Sequence, residues 1–172
     1  MGWLFYNPDP EVKQFTGDIS KWDVSRVSNM NHMFYVVSPF NGDISKWDVS
    51  SVTNMWATFR SASSFNSDIS KWHVSRVASM AYMFAHASSF NGDVSKWDVS
   101  SVRNMFGMFA SATSFNGDVS GWDVSSVNNM DAMFNEASSF AQTLCGDAWI
   151  ASAASKDSIF DGSSGRICAA NN

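Results

Sequence analysis

The chain has 172 residues, 45% of them hydrophobic, and carries a net charge of -5 from 11 basic and 16 acidic side chains. A chain of this size buries roughly 70% of its unfolded surface, enough for one folded body. Lysines and aspartates interleave without forming a basic patch, and no apolar run approaches the roughly 18–20 residues that span a bilayer, so neither a nucleic-acid partner nor membrane insertion is expected.

Residues 1–14 fall outside the pattern that governs the rest. Trp3, Leu4, Phe5 and Tyr6 lack the basic start of a signal peptide, so they read as part of a mature segment. Their apolar character suits a cap over the open end of a repeat array.

The pattern begins at Phe15. Phe15, Phe40, Phe65, Phe90, Phe115 and Phe140 stand 25 residues apart, and Trp22, Trp47, Trp72, Trp97 and Trp122 keep the same step, as do Met30, Met55, Met80, Met105 and Met130. A fixed period of this size marks a repeat architecture in which each unit buries its apolar face against its neighbours. Residues 15–139 therefore read as five units. With 14 Phe, 10 Met and 8 Trp but Leu only at Leu4 and Leu144, the interior is expected to be aromatic and thioether.

Within a unit the period of the apolar residues changes. Asn41, Gly42 and Asp43 supply turn chemistry, and the aspartates Asp18, Asp43, Asp68, Asp93 and Asp118 read as Asx-type caps. Trp47 and Val49 alternate with polar residues, which predicts a short strand over 46–50. From Met55 the spacing Met55, Phe59, Ala62 predicts a short helix or 3₁₀ segment, with Thr53 and Asn54 as its cap. Asn29, Asn54, Asn104 and Asn129, interrupted by Ser79, form a column able to hydrogen-bond the backbone of successive turns. The expected fold is a repeat solenoid, an α/β coil stack with short parallel strands on one face and short helices or 3₁₀ segments on the other.

The tail, 140–172, loses the repeat pattern and reads as a second cap, with Trp149, Ile150, Ile159 and Phe160 covering the open end. It holds both cysteines, Cys145 and Cys168. A disulfide between them stabilises by about 3.5 kcal/mol through loop closure and implies an oxidising, extracellular or cell-surface compartment. Two reduced, buried thiols are the alternative. Neither a CxxC pair nor a neighbouring histidine supports a metal or a cysteine nucleophile.

The run FNGDISKWDVSSVTNM followed by MFxxASSFN resembles the repeat of BspA-like leucine-rich-repeat surface proteins, found in bacterial surface lipoproteins, algae and protists. The resemblance covers Phe15 to about Phe140. It implies a leucine-rich-repeat-like solenoid in secreted or surface-anchored proteins associated with adhesion and binding, with no shared catalytic site.

Two surfaces are candidates for recognition. On the strand face, Lys21, Lys46, Lys71 and Lys96 form one outward column and Asp23, Asp48, His73, Asp98 and Asp123 another. These could bind a protein or glycan partner or be structural, and the adjacent lysines argue against a calcium rail. On the helical face, the residue after the methionine varies, from Asn31 through Trp56, Ala81 and Phe106 to Asp131. Trp56 and Phe106 either fill gaps or form an apolar contact patch rimmed by His32, Tyr35, Arg60, Tyr82, His86 and Glu136. No catalytic constellation and no cofactor are expected, since a catalytic site needs a base, an orienting group and an oxyanion donor in one pocket. Ice binding fits charged columns poorly. A structural spacer is the remaining alternative, and capped ends favour a monomer over self-polymerisation.

Overall fold

The computed structural model describes residues 14–170, so the expected N-terminal cap with Trp3, Leu4, Phe5 and Tyr6 lies outside the described residues. Regular elements occur only in the tail. They are β1 (Thr143–Leu144), α1 (Asp147–Ile150) and β2 (Arg166–Ile167), and β1 pairs with β2 in parallel, Thr143 opposite Arg166 and Leu144 opposite Ile167.

The expected leucine-rich-repeat-like α/β stack of strands and helices is therefore corrected. No unit contains a strand or a helix; the repeats are built from turns. At 46–50 the reason is local, because β-turns close on both sides of it: the Trp47 N–H donates to the Ile44 carbonyl at 3.1 Å and the Val52 N–H to the Val49 carbonyl at 2.9 Å. Too little extended chain remains between them for a ladder. The alternation of faces is nevertheless present, with Trp47 and Val49 buried and Lys46, Asp48 and Ser50 exposed.

The segment after each methionine fails as a helix for a different reason. Its second and sixth residues lie in the left-handed region in every unit, as at His32 (φ 56) and Val36 (φ 64), Ala57 (φ 53) and Ser61 (φ 60), and Gly107 (φ 57) and Ser111 (φ 56). An α-helix cannot pass through such residues. Instead, four-residue β-turns follow one another: Met33 N–H to the Met30 carbonyl at 3.1 Å, Tyr35 to His32 at 3.2 Å, and Val37 to Phe34 at 3.2 Å. The apolar spacing of 3 and 4 arises from these turns and imitates helical spacing.

The N–H groups between the turns point to the next unit. Met30, His32, Phe34 and Val36 donate to the carbonyls of Asn54, Trp56, Thr58 and Arg60 at 2.8–3.0 Å, and the set recurs at each later junction. Backbone polar groups that a helix or sheet would pair internally are paired between units. One single-residue parallel bridge per junction joins Asn29, Asn54, Ser79, Asn104, Asn129 and Ser155.

Two columns of phenylalanine fill the interior. Phe34, Phe59, Phe84, Phe109, Phe134 and Phe160 follow each other at ring-centroid distances of 5.3–5.7 Å. The 25-residue column from Phe15 to Phe140 stacks at 5.9–6.3 Å. Where one unit passes into the next the two columns meet, Phe34 with Phe40 and so on, at 3.9–4.2 Å. Offset aromatic pairs add about 0.5–1.5 kcal/mol each beyond the area they bury. The tryptophans tie units together by a side-chain bond: the indole N–H of Trp47 donates to the Ile19 carbonyl at 3.1 Å, and those of Trp72, Trp97 and Trp122 reach Ile44, Ile69 and Val94.

The tail keeps the backbone pattern that its sequence hides. Met130, Ala132, Phe134 and Glu136 donate to Ser155, Asp157, Ile159 and Asp161, and Ser158 and Gly162 take the two left-handed positions. Residues 155–162 thus form a sixth turn run, shifted by one residue. Trp149 donates its indole N–H to the Val119 carbonyl at 3.0 Å in place of a repeat tryptophan. Gly165 lies against the Phe140 ring, where an added Cβ would approach within 2.6 Å, so the chain crosses the end of the phenylalanine column without a side chain. Beyond it, Cys168 donates its N–H to the Leu144 carbonyl at 3.0 Å, and a disulfide joins Cys168 to Cys145 at a Cα separation of 4.9 Å.

Candidate functional site

Four of the five units carry the run Asp-x-Ser twice, at Asp43-Ile44-Ser45 and Asp48-Val49-Ser50 in the second, and the third carries it once, with His73 at the other place. Each aspartate accepts the N–H of the serine two residues on: Asp43 from Ser45 and Asp48 from Ser50, both at 3.0 Å. Asp18, Asp68, Asp93 and Asp118 repeat the first turn. Asp23, Asp98 and Asp123 repeat the second.

These bonds favour the ionised carboxylate. The serine hydroxyl, then the serine N–H, holds Asp23, Asp43, Asp48, Asp68, Asp93, Asp118 and Asp123 below the ordinary carboxylate value of 3.8. At Asp18 the Ser20 N–H comes first. The first aspartate column thus caps turns as its sequence suggests. The second, expected to recognise a partner, caps turns as well.

The strand-face candidates Lys21, Lys46, Lys71, Lys96, Asp23, Asp48, His73, Asp98 and Asp123 are all exposed. His73 interrupts the carboxylate column and sits close enough to Asp48 to lower its pKa, behind the two Ser50 bonds. Among the described residues no group of three or more His, Cys, Asp or Glu is arranged to hold a metal ion.

The column Asn29, Asn54, Asn104 and Asn129 does the capping expected of Asn54 and not the inter-unit laddering expected of its side chains. Its side chains cap their own units: Asn54 Oδ1 accepts the Trp56 N–H at 2.9 Å and Asn104 Oδ1 the Phe106 N–H at 2.9 Å. The inter-unit amide ladder lies in the other asparagine column. Asn41, Asn66, Asn91 and Asn116 accept the N–H of Asn66, Asn91, Asn116 and Ala141 at 2.8–3.0 Å. The signal was present as a 25-residue period of asparagine, but turn chemistry explained Asn-Gly-Asp equally well.

In the turn runs after the methionines the variable residues come together. His32 meets Trp56 edge-on at 4.5 Å and Tyr35 at 5.2 Å. The Arg60 guanidinium carbon lies 4.7 Å from the Tyr82 ring centre and 5.8 Å from that of Tyr35. Tyr82 meets Phe106 at 4.9 Å and lies over Gly107, where an added Cβ would come within 2.9 Å of the ring. Five aromatic or imidazole rings from the first, second, third and fourth units therefore form a chain of contacts, two of them, Tyr35 and Tyr82, flanking one arginine. Trp56 is 36% exposed, a high value for tryptophan, and the Arg60 Nε is buried with no hydrogen-bond partner. Burial, then the nearby Arg60 charge, pushes the His32 pKa below its usual 6.5. The structure thus brings Trp56, Arg60, Tyr82 and Phe106 into one patch with His32 and Tyr35, though on turns instead of a helix.

Units of 25 residues made of turns, zipped by backbone bonds and phenylalanine columns and closed by a disulfide-linked tail, define a tandem-repeat protein. The chain belongs to the family described as Mycoplasma protein of unknown function, DUF285, whose model matches residues 1–100 and 69–166. The two matches overlap, as a periodic chain allows. No curated protein and no solved structure matches it. The disulfide is consistent with an oxidising compartment, and no helix among the described residues is long and apolar enough to cross a membrane.

Proposed function

We propose that the chain is a non-catalytic recognition module of a secreted or surface protein, in keeping with its resemblance to BspA-like surface proteins, and that it meets a protein or glycan partner through the arginine-centred aromatic patch. The observation that carries this reading is the gathering of variable residues from several units into one half-buried patch that is exposed at Trp56. Repetition places a residue in every unit for stacking; the positions that differ are free of that duty. Arg60, Tyr82 and Trp56 differ from their counterparts in every other unit, and they converge.

The lysine and aspartate columns are the second reading. Their exposure favours it, while the bonds from each aspartate to its own serine give that face a structural task in every unit. A pull-down of the oxidised chain against surface fractions, alongside Trp56→Ser/Phe106→Ser and Asp48→Lys/Asp98→Lys double variants, separates the two. Loss of a partner with the first pair alone supports the patch. Loss with the second pair alone moves recognition to the charged columns, and no partner for any form favours a spacer.

A further inference from the structure

Arg60 is an unusual cation on an acidic chain. The net charge is -5, yet among the described residues the guanidinium is held by ring faces, over Tyr82 and beside Tyr35, and its Nε is enclosed without an acceptor. A guanidinium so clamped has its planar faces covered and its N–H edge fixed in direction. With Nε enclosed, the two terminal amino groups are the fork left for two carboxylate oxygens, and its rotamer freedom is already restricted before a ligand arrives. The neighbouring His32 does not compete for an anion as a second cation at neutral pH, because burial and Arg60 itself keep its pKa low.

The surroundings narrow the ligand further. Trp56, four residues before the arginine, offers an exposed ring against His32, and Phe106 a second, half-buried one two units along. Aromatic faces carry negative charge and attract the C–H bonds that line one face of a sugar ring. At roughly 5 Å per unit the patch is on the order of 10 Å long, the length of one or two sugar rings. A stable protein interface needs roughly 20–30 residues a side. Six side chains supply far less.

We propose that the patch, taken as the site named under the proposed function, binds a carboxylate-bearing sugar, with the acid group on the Arg60 fork and the pyranose ring against Trp56. Calorimetry of the full chain tests this with three probes: an oligogalacturonate tetramer, a hyaluronan tetrasaccharide and sialyllactose. Neutral galactotetraose and tetraglutamate are the controls. At least one sugar acid binds saturably, and galactotetraose binds roughly tenfold more weakly or not at all, the equivalent of losing one charge-assisted hydrogen bond. Arg60→Gln and Arg60→Lys each weaken binding by roughly tenfold or more. The lysine keeps charge and ring contact but lacks the fork. Trp56→Ala weakens it too, and Asp48→Lys on the other face leaves it unchanged. Melting curves of each variant separate lost binding from lost folding.

Failure of all three sugar acids to bind overturns the proposal, as does equal binding by Arg60→Gln. Tetraglutamate binding as tightly as the sugars overturns it in favour of an acidic peptide. A partner captured through Trp56 and Phe106 with no sugar-acid binding refutes the sugar and leaves recognition by the patch standing; failure of both removes the patch altogether.

Discussion

The two faces of the repeat follow opposite rules. The charged face is uniform: nearly every unit has lysine, aspartate and serine in the same places, and its aspartates fasten the turns that carry them. The aromatic face is irregular, with one arginine, two tyrosines, a histidine and a tryptophan each occurring once at its position and meeting across unit boundaries. Uniformity here marks residues that build the stack, and irregularity marks residues that the stack does not require. An exposed charged column is therefore weaker evidence of recognition than an exposed exception.

The sharpest test of that contrast sets two aromatic residues against each other. Phe84 contacts Phe59, Phe90 and Phe109 and is fully buried, so Phe84→Ala should cost about 3–5 kcal/mol in chemical denaturation. Trp56→Ala should cost distinctly less, about 1–2 kcal/mol, since a third of that ring is exposed and it meets one ring, His32, in place of three. Comparable losses from both would make the patch part of the core and end its claim to be a recognition surface.

The ends can be compared with the middle by removing the disulfide. Cys145→Ser/Cys168→Ser releases a link spanning 23 residues and should lower stability by about 3.5 kcal/mol. Fraying should begin in the tail, with loss of amide protection at Phe134 and Glu136, whose N–H groups donate to it. Loss of protection first in the central units would contradict a closing role.

Irregularity at the sixth turn position has a smaller consequence. Val36 is left-handed there, where the other units place Ser61, His86, Ser111 and Glu136. A β-branched side chain in that region carries strain of about 1–3 kcal/mol. Val36→Gly should relieve it and raise the melting temperature by a few degrees. An unchanged or lower melting temperature would show that Val36 packing outweighs the backbone.

The charged face should declare its structural task in acid. Eight aspartates have folded-state pKa values below 3.8. A depressed folded pKa contributes stability that is complete above the unfolded value and is lost as pH falls through the folded one. Stability should therefore be level from neutral pH to about 5 and decline below about 4. Ser50→Ala removes the leading cause of the Asp48 shift, so the Asp48 carboxyl resonance should titrate at higher pH; an unmoved titration would remove the serine from the account.

Much of this arrangement was legible in the residues. The 25-residue period recurs in the ring columns and inter-unit bonds, the alternation at Trp47 and Val49 gave which side chains face inward, and the two tail cysteines are paired. The strand and helix were misread because apolar spacing reports which residues are buried and says nothing of the sign of φ. Left-handed turns at His32 and Val36 produce the same 3-and-4 spacing as a helix. The tail hid its sixth turn run because Lys156 stands where the units have methionine and the register slips by one, while the backbone bonds from Met130 through Glu136 persist.

By itself, then, the sequence determined periodicity, inward faces and a closed end, since these depend on residue type at each position. Tertiary structure alone decided which asparagine column bridges units, how each unit pairs its backbone, and that Arg60 lies between Tyr35 and Tyr82. Those depend on where residues 22 to 25 positions apart come to rest, and that distance is set by the stacking of whole units.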